Sequence, residues 1–249
     1  MYTVTKRVKE FKQPRGGFLN PKQFSVIQLE DNITLNPENI NPSIIGIVVD
    51  YLTRFMSGTA KEKAFQISIW GAMNVKEFDN CYDLLDQVTG LDDDSIFSAC
   101  QLAGYDVAYR ADKMYYKPVS EIQPDDLTIE NIRTMVNRSL AFWEHYGPVV
   151  SDGFTFQGGY TNIISKGDGD FLTADTLWDF KVLSAAPKST HTLQLLVYYL
   201  MGIHSIHPEF KTIKRLGIFN PRWNTVYLLD IDSIPSDIIE AVSKDVIGY

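Results

Sequence analysis

Alternation between apolar and polar positions is clearest in residues 158–202, which predict two strands, a tight turn and an amphipathic helix. We place the strands at 169–173 and 177–183, where β-forming residues are frequent. Residues 174–176 predict the turn between them, because the Asp at its centre can hydrogen-bond its own backbone. Apolar residues at helical spacing then predict a helix over 190–203.

The rest of the pattern adds helices and further strands to this hairpin. A short strand and a turn-rich linker are expected within 25–40, and Asn41-Pro42 is typical of a helix start. The predicted helices lie at 43–57, 60–73, 76–88, 94–103, 128–146 and 236–246, and further strands lie at 153–165, 213–219 and 225–231. Strand, hairpin, helix, two strands and helix fit a mixed sheet with helices on its faces, so the predicted fold class is α/β.

The second hairpin strand carries a polar face that suggests chemistry. Side chains alternate along a strand, so Asp179 and Lys181 share one face, whereas Trp178 and Phe180 share the apolar one. Asp170 on the first strand lies within reach of the polar face. Two carboxylates at one point repel each other unless a cation lies between them, and oxygen ligands suit Mg²⁺ or Mn²⁺. With a lysine that can serve a water, this predicts metal-assisted phosphodiester hydrolysis.

A simpler interpretation of the hairpin remains open. Asp179 and Lys181 could be solvated on a surface hairpin, or could pair with each other on an exposed sheet face.

The spacing of these residues resembles a known family. Asp170, followed by Asp179-Phe180-Lys181, resembles the D…(D/E)xK signature of the PD-(D/E)XK nuclease superfamily. Gln194 and Tyr198 in the next helix are similar to the QxxxY motif of its RecB-type and lambda-exonuclease-type branch, and their spacing puts them on one helical face. Gly169 rather than proline precedes the first acid, and the second acid is Asp rather than Glu.

The resemblance implies a restriction-endonuclease-like αβββαβ core with a metal site. It implies that Asp170 and Asp179 hold Mg²⁺, with Mn²⁺ as a substitute, and that Lys181 serves the attacking water. The backbone carbonyl of Phe180 would be a further ligand. Asp168 is close enough in sequence to be another possible ligand.

Three more candidates depend on this resemblance. Gln194 and Tyr198 would position the catalytic groups or the substrate strand, whereas periodicity alone favours a buried Tyr198 and an exposed Gln194. Asp50, on the helix over 43–57, would be a third metal-binding acid, because many members of this branch carry an acid on the first core helix. The alternative is a salt bridge between Asp50 and Arg54, which are four residues apart.

Length and charge refine this prediction. With 249 residues, of which 45% are hydrophobic, the chain can form one large domain. We predict a basic arm and linker over 1–40 and a single nuclease-like domain over 41–249, with a helical insertion at about 59–147. The net charge of −8 argues against a protein that coats nucleic acid, but active-site acids contribute to that charge until metal binds.

The basic N-terminal segment has two interpretations. Its lysines and arginines are concentrated in residues 1–24, together with a Gly-Gly pair. A flexible basic arm could contact a phosphate backbone. It could equally be a solvated terminus or pack on a partner subunit.

The expected function is that of a Mg²⁺-dependent deoxyribonuclease, with RNA as a substrate not excluded. The alternatives are a catalytically silent nuclease-fold module that binds nucleic acid or a partner protein, and a phosphodiesterase acting on small nucleotides. The sequence has two cysteines, no segment of signal-peptide type and no apolar run of about 20 residues. These features predict a cytoplasmic protein without a membrane partner. A homo-oligomer or a separately encoded partner protein is compatible with the sequence.

Overall fold

The computed structural model describes residues 1–249 and shows an α/β protein, which confirms the predicted fold class. The ten α-helices are α1 (Val4–Glu10), α2 (Pro42–Met56), α3 (Lys61–Ala64), α4 (Gln66–Val75), α5 (Phe78–Gln87), α6 (Asp93–Ala103), α7 (Asp106–Arg110), α8 (Asp126–Tyr146), α9 (Ser189–Ile203) and α10 (Ser236–Ala241). None of these helices combines the length and the apolar character needed to cross a lipid bilayer.

Eight strands form one small and one large sheet. They are β1 (Tyr2–Thr3), β2 (Ser25–Gln28), β3 (Ser151–Asp152), β4 (Ile164–Lys166), β5 (Phe171–Leu172), β6 (Thr176–Phe180), β7 (Arg215–Asn220) and β8 (Thr225–Asp230). Strands β1 and β4 pair in parallel, and the other six form a mixed sheet of order β2-β8-β7-β6-β5-β3.

The chain divides into two compact units. Residues 1–30 and 143–249 form the first, which contains both sheets and is called the sheet unit below. Residues 31–142 form the second, which contains only helices and turns and is called the helical unit. The sequence predicts a basic arm and linker over 1–40 and a helical insertion at about 59–147, and this division stays a prediction.

Within the large sheet, one pair of neighbouring strands is parallel and the other four pairs are antiparallel. Strands β3, β5 and β6 pair antiparallel in succession, whereas β6 and β7 are parallel and are joined by the crossover helix α9. Parallel neighbours need such a crossover, because the chain has to return to the starting end of the sheet. Helix α9 is buried along most of its length and packs against β6 and β7.

Residues 1–30 belong to the sheet unit and pack against its core. Val4 and Val8, four residues apart on α1, are both buried and face the core that α9 helps to form. Arg7 donates hydrogen bonds to the carbonyl oxygens of Val246 (2.9 Å) and Asp245 (2.6 Å), which ties α1 to the end of the chain. The basic residues therefore lie on a packed segment, and the apolar spacing of α1 explains why.

The helical unit is built around its own buried residues. Arg138 on α8 is almost fully buried and donates a hydrogen bond of 2.9 Å from Nη2 to Asp31. The Arg138 guanidinium lowers the pKa of the Asp31 carboxyl, which marks the pair as an ionised contact. This contact joins the first residue of the helical unit to α8.

Several observed elements differ in their boundaries from the prediction. The hairpin strands are shorter, with β5 at Phe171–Leu172 and β6 at Thr176–Phe180. Their turn is closed by a hydrogen bond from the Thr173 N–H to the Thr176 carbonyl oxygen (3.0 Å). Asp170 therefore lies just before β5 and Lys181 just after β6, where side chains can turn away from the regular sheet.

Candidate functional site

The register of the hairpin sets Asp170 against Asp179. Phe171 pairs with Trp178 and Leu172 with Leu177, so one further step along both strands brings the two aspartates opposite each other. The Asp170 carbonyl accepts a hydrogen bond from the N–H of Gly153, which shows that its backbone faces away from β6. Opposed residues that exchange no backbone hydrogen bonds lie closest together in an antiparallel pair. Both carboxylates therefore belong to one small region.

Asp170 is held in place by the backbone of β6. The Phe180 N–H donates to Asp170 Oδ2 over 2.8 Å. The Lys181 N–H points the other way and donates to the carbonyl oxygen of Phe219 over 2.9 Å. The N–H and C=O of one extended residue point to the same side, so the Phe180 carbonyl faces the edge where Asp170 lies.

Asp179 and Lys181 form a close ion pair. The lysine Nζ donates to Asp179 Oδ1 over 2.9 Å, and the side chains of Asp179 and Lys181 are 1% and 23% exposed. A carboxylate this deeply buried needs a charged or hydrogen-bonding partner, which the lysine supplies. This observation excludes the solvated-hairpin interpretation for Asp179.

Gln194 and Tyr198 form a buried pair on α9. The Gln194 amide Nε2 donates to the Tyr198 hydroxyl over 2.7 Å, and both residues are at most 6% exposed. Gln194 is therefore buried, contrary to what periodicity alone favours. Burial raises the pKa of the Tyr198 phenol well above its ordinary value, and the negative charges of three aspartates raise it further, namely Asp179, Asp170 and Asp168. The phenol thus lies within the electrostatic reach of all three carboxylates.

His191 belongs to the same region, although the sequence analysis does not single it out. Its Nδ1 accepts a hydrogen bond of 3.1 Å from the Lys188 backbone N–H, which leaves the proton of a neutral ring on Nε2. Burial lowers the pKa of His191 to about 4, and the positive charges of Lys181 and Lys188 act in the same direction. A usable sequence signal was present, because His191 precedes Gln194 by three residues and Tyr198 by seven on one helical face.

Aromatic rings support the strand that carries Asp179 and Lys181. Phe180 stacks on Trp143 with ring centroids 4.9 Å apart and an angle of 10° between planes. It also contacts the rings of Phe171 and Phe219 at 4.9 and 5.2 Å. Trp143 is 37 positions away in sequence from Phe180, so no local pattern could have predicted this contact.

Gly169 explains how the chain enters β5. A Cβ at this position would lie 2.3 Å from two ring carbons of Phe154. The Gly169 N–H also donates to the Phe154 carbonyl oxygen over 2.9 Å. Residue 169, directly before Asp170, therefore has to be glycine, because its backbone lies too close to the Phe154 ring for a side chain.

Asp50 lies on α2 in the helical unit. Its Oδ1 accepts a hydrogen bond of 2.9 Å from Nε of Arg54, which is the intrahelical salt bridge that the spacing of the two residues allows. Metal binding by Asp50 stays a prediction.

The oxygen donors of Asp170, Asp179 and Phe180 are of the type that Mg²⁺ prefers in proteins. No group of three or more His, Cys, Asp or Glu side chains is arranged to hold a metal ion. Mg²⁺ keeps several waters and is usually bound by one or two carboxylates plus substrate phosphate. Asp170, Asp179 and the Phe180 carbonyl provide two hard anionic donors and one neutral oxygen donor.

Comparison with known proteins does not add a family to this picture. The chain matches no family model, no curated protein and no solved structure. The function therefore has to be argued from the arrangement of the chain's own residues.

Proposed function

We propose that the chain is a metal-dependent nuclease of the PD-(D/E)XK type that hydrolyses DNA phosphodiester bonds. The observation that carries the proposal is the grouping of Asp170, Asp179 and Lys181 on one edge of the hairpin. The β5–β6 register, continued one step past the Phe171–Trp178 pair, sets Asp170 opposite Asp179, and Lys181 Nζ lies 2.9 Å from Asp179 Oδ1.

The order of elements gives independent support. Strands β3, β5 and β6 are consecutive neighbours in the large sheet, and α9 leads from β6 to the parallel strand β7. This order is compatible with the βββαβ portion of the restriction-endonuclease-like core that the resemblance implies. The two acids and the lysine lie where β6 ends, and Gln194 and Tyr198 lie on the helix that follows.

Each of these residues would have its own role in the proposed reaction. Asp170 and Asp179, with the Phe180 carbonyl, would hold Mg²⁺, which when bound lowers the pKa of a water and offsets charge on the phosphoryl oxygens. Lys181 is close enough to one of these acids to orient the attacking water or to stabilise negative charge on the phosphate. The Gln194–Tyr198 pair, whose phenol lies within the electrostatic reach of both carboxylates, would position them.

The alternative is a catalytically silent module of the same fold. The specific observation in its favour is the 2.9 Å ion pair between Lys181 and Asp179, because such a pair can also serve only to satisfy a buried carboxylate. A silent module would bind nucleic acid or a partner protein without needing a metal at Asp170 and Asp179.

A cleavage assay with matched variants tests the proposal. Purified protein is incubated with linear duplex DNA, closed circular DNA, single-stranded DNA and RNA, each with Mg²⁺, Mn²⁺ or EDTA. Asp179→Asn and Lys181→Ala are expected to abolish metal-dependent cleavage. Asp175→Asn makes the same chemical change in the turn of the same hairpin, where the carboxylate pairs with Arg215 at the surface. This control is expected to retain activity.

Metal binding separates the two candidate functions. Calorimetric titration with Mn²⁺ should show a site that is lost in Asp179→Asn and kept in Asp175→Asn. Cleavage that survives Lys181→Ala and Asp179→Asn would show that another site is responsible. The absence of both cleavage and Mn²⁺ binding would favour the silent module.

A further inference from the structure

The helical unit contains a cavity that the proposed nuclease site does not use. Its volume is about 670 Å³, within the 300–1,000 Å³ that is typical of small-molecule sites. It is enclosed by the start of α2, the end of α6, helix α7 and the loop that precedes α8.

Aliphatic side chains form a large part of the cavity wall. Its half-buried aliphatic side chains are Ile40, Ile44, Ile47, Val107 and Ile122. Aliphatic side chains on five positions from three segments leave apolar surface that a ligand of matching shape would remove from water.

One wall carries a network of polar groups centred on Asp106. This carboxylate is only 1% exposed and accepts hydrogen bonds from Tyr51 (2.6 Å), Ser68 (2.7 Å) and Arg110 (3.1 Å). Burial raises the pKa of Asp106, although its three donors and the positive charge of Arg110 act in the opposite direction. Side-chain hydrogen bonds thus tie Asp106 to α2 and α4 as well as to Arg110 on its own helix α7.

Arg110 is held by this network but does not use all its donors. Its Nε donates to Asp106, and its Nη2 donates to the Tyr51 hydroxyl over 3.4 Å. Nη1 makes no hydrogen bond within the protein, and the side chain is 48% exposed at the cavity. A guanidinium fixed in this way presents donors to an acceptor without first losing rotamer freedom, which favours binding of an anionic group.

We propose that this cavity binds a small amphipathic anion, with its apolar body against the aliphatic wall and its single acidic group on Arg110. The chemical class is a monoanionic carboxylate, sulfonate or phosphate ester attached to an aromatic or aliphatic body. The site belongs to the helical unit and is independent of nuclease activity, so it stands or falls separately from the proposed function.

Two fluorescent probes that share one apolar body test the role of the charge. 8-Anilinonaphthalene-1-sulfonate carries a sulfonate, and N-phenyl-1-naphthylamine has the same ring system without it. Both are titrated into the full-length folded protein. The sulfonate probe is expected to bind saturably with one site per chain. Arg110→Gln should weaken that binding about tenfold, as expected for losing a charged hydrogen bond, and should leave the neutral probe unchanged.

Matched variants locate the binding to the cavity. Val107→Trp and Ile44→Trp each fill the cavity from a different helix, and either variant that keeps its circular dichroism spectrum should lose both probes. Lys113→Gln removes an exposed cation that does not line the cavity and should change neither affinity. The proposal is overturned if the sulfonate probe shows no saturable binding, if both filled variants still bind it, or if Arg110→Gln binds it as tightly as the wild type.

Discussion

At the scale of single residues, the site depends on buried polar groups that satisfy one another. Asp179 relies on Lys181, and Gln194 relies on Tyr198. Removing one member of such a pair leaves the other buried without its partner, which costs more than the pair itself contributes. The consequences of substitution should therefore depend strongly on whether one or both partners are changed.

The Gln194–Tyr198 pair offers a direct test of this dependence. Tyr198→Phe removes the acceptor of the Gln194 amide and should lower the free energy of unfolding by roughly 1–3 kcal/mol. Adding Gln194→Met should recover most of that loss, because both partners are then apolar and of similar size. Chemical denaturation of the two single variants and the double variant measures the coupling. Additive losses would show that the hydrogen bond does not link the two side chains.

His191 should make stability depend on pH in a predictable direction. Its pKa is lowered to about 4, below the ordinary 6.5, because burial and two nearby lysines oppose its charged form. The unfolded chain therefore binds a proton that the folded chain does not between these values, and stability falls as the pH falls from 6.5 towards 4.

Unfolding midpoints across this pH range check the prediction. His191→Gln should lose less stability than the wild type as the pH falls from 7 to 4. His145→Gln, which removes an exposed imidazole at the end of α8, is the control for loss of a histidine. Parallel pH profiles for the wild type and His191→Gln would contradict the assignment.

At the scale of elements, the hairpin and α9 hold the candidate site on two rigid supports. Strand β6 is paired on both sides, and α9 crosses from its end to β7. Strand β5 is only two residues long, so the position of Asp170 depends on the chain that leads into it. In that lead-in, Gly169 leaves no room for a side chain beside the Phe154 ring.

Gly169→Ala should therefore disturb the site without touching any of its polar groups. The added methyl group would lie 2.3 Å from the Phe154 ring and should lower the free energy of unfolding by about 1–3 kcal/mol through overpacking. Gly90→Ala is the matched control, because the nearest atom to its added Cβ is 3.8 Å away. Denaturation and Mn²⁺ titration of both variants measure the effect. Equal stability for the two variants would show that the Gly169 contact carries no strain.

At the scale of the whole molecule, features that depend on neighbouring residues could be predicted from the sequence, whereas contacts between distant segments could not. Period-two alternation placed Asp179 and Lys181 on one strand face, and helical spacing placed Gln194 with Tyr198, because both depend only on neighbouring residues. The stacking of Trp143 on Phe180 and the start of the helical unit at residue 31 could not be predicted in this way. Both arise where chain segments far apart in sequence are brought together by folding.

The charge of the molecule is also unevenly distributed along the chain. Residues 1–30 carry six Lys or Arg against two Glu, a net charge of +4, so the remainder carries −12 for the total to be −8. The backbone of Gly17 packs on Ser189, and the Leu19 carbonyl accepts a hydrogen bond of 2.5 Å from Thr192. The exposed Lys12 and Arg15 belong to the segment that leads into these contacts with the first turn of α9, which also carries His191.

If the chain acts on DNA, these two cations should contribute to phosphate binding outside the reacting bond. The logarithm of affinity for duplex DNA falls with the logarithm of salt concentration by about 0.9 for each phosphate neutralised. Lys12→Gln with Arg15→Gln should reduce that slope by up to about two and weaken binding most at low salt.

The assay is fluorescence anisotropy with labelled duplex DNA and Ca²⁺ in place of Mg²⁺, so that binding is measured without cleavage. Lys76→Gln with Lys113→Gln removes the same charge from exposed positions in the helical unit and should leave the slope unchanged. Equal losses in both pairs would mean that overall charge, and not the segment beside α9, governs binding.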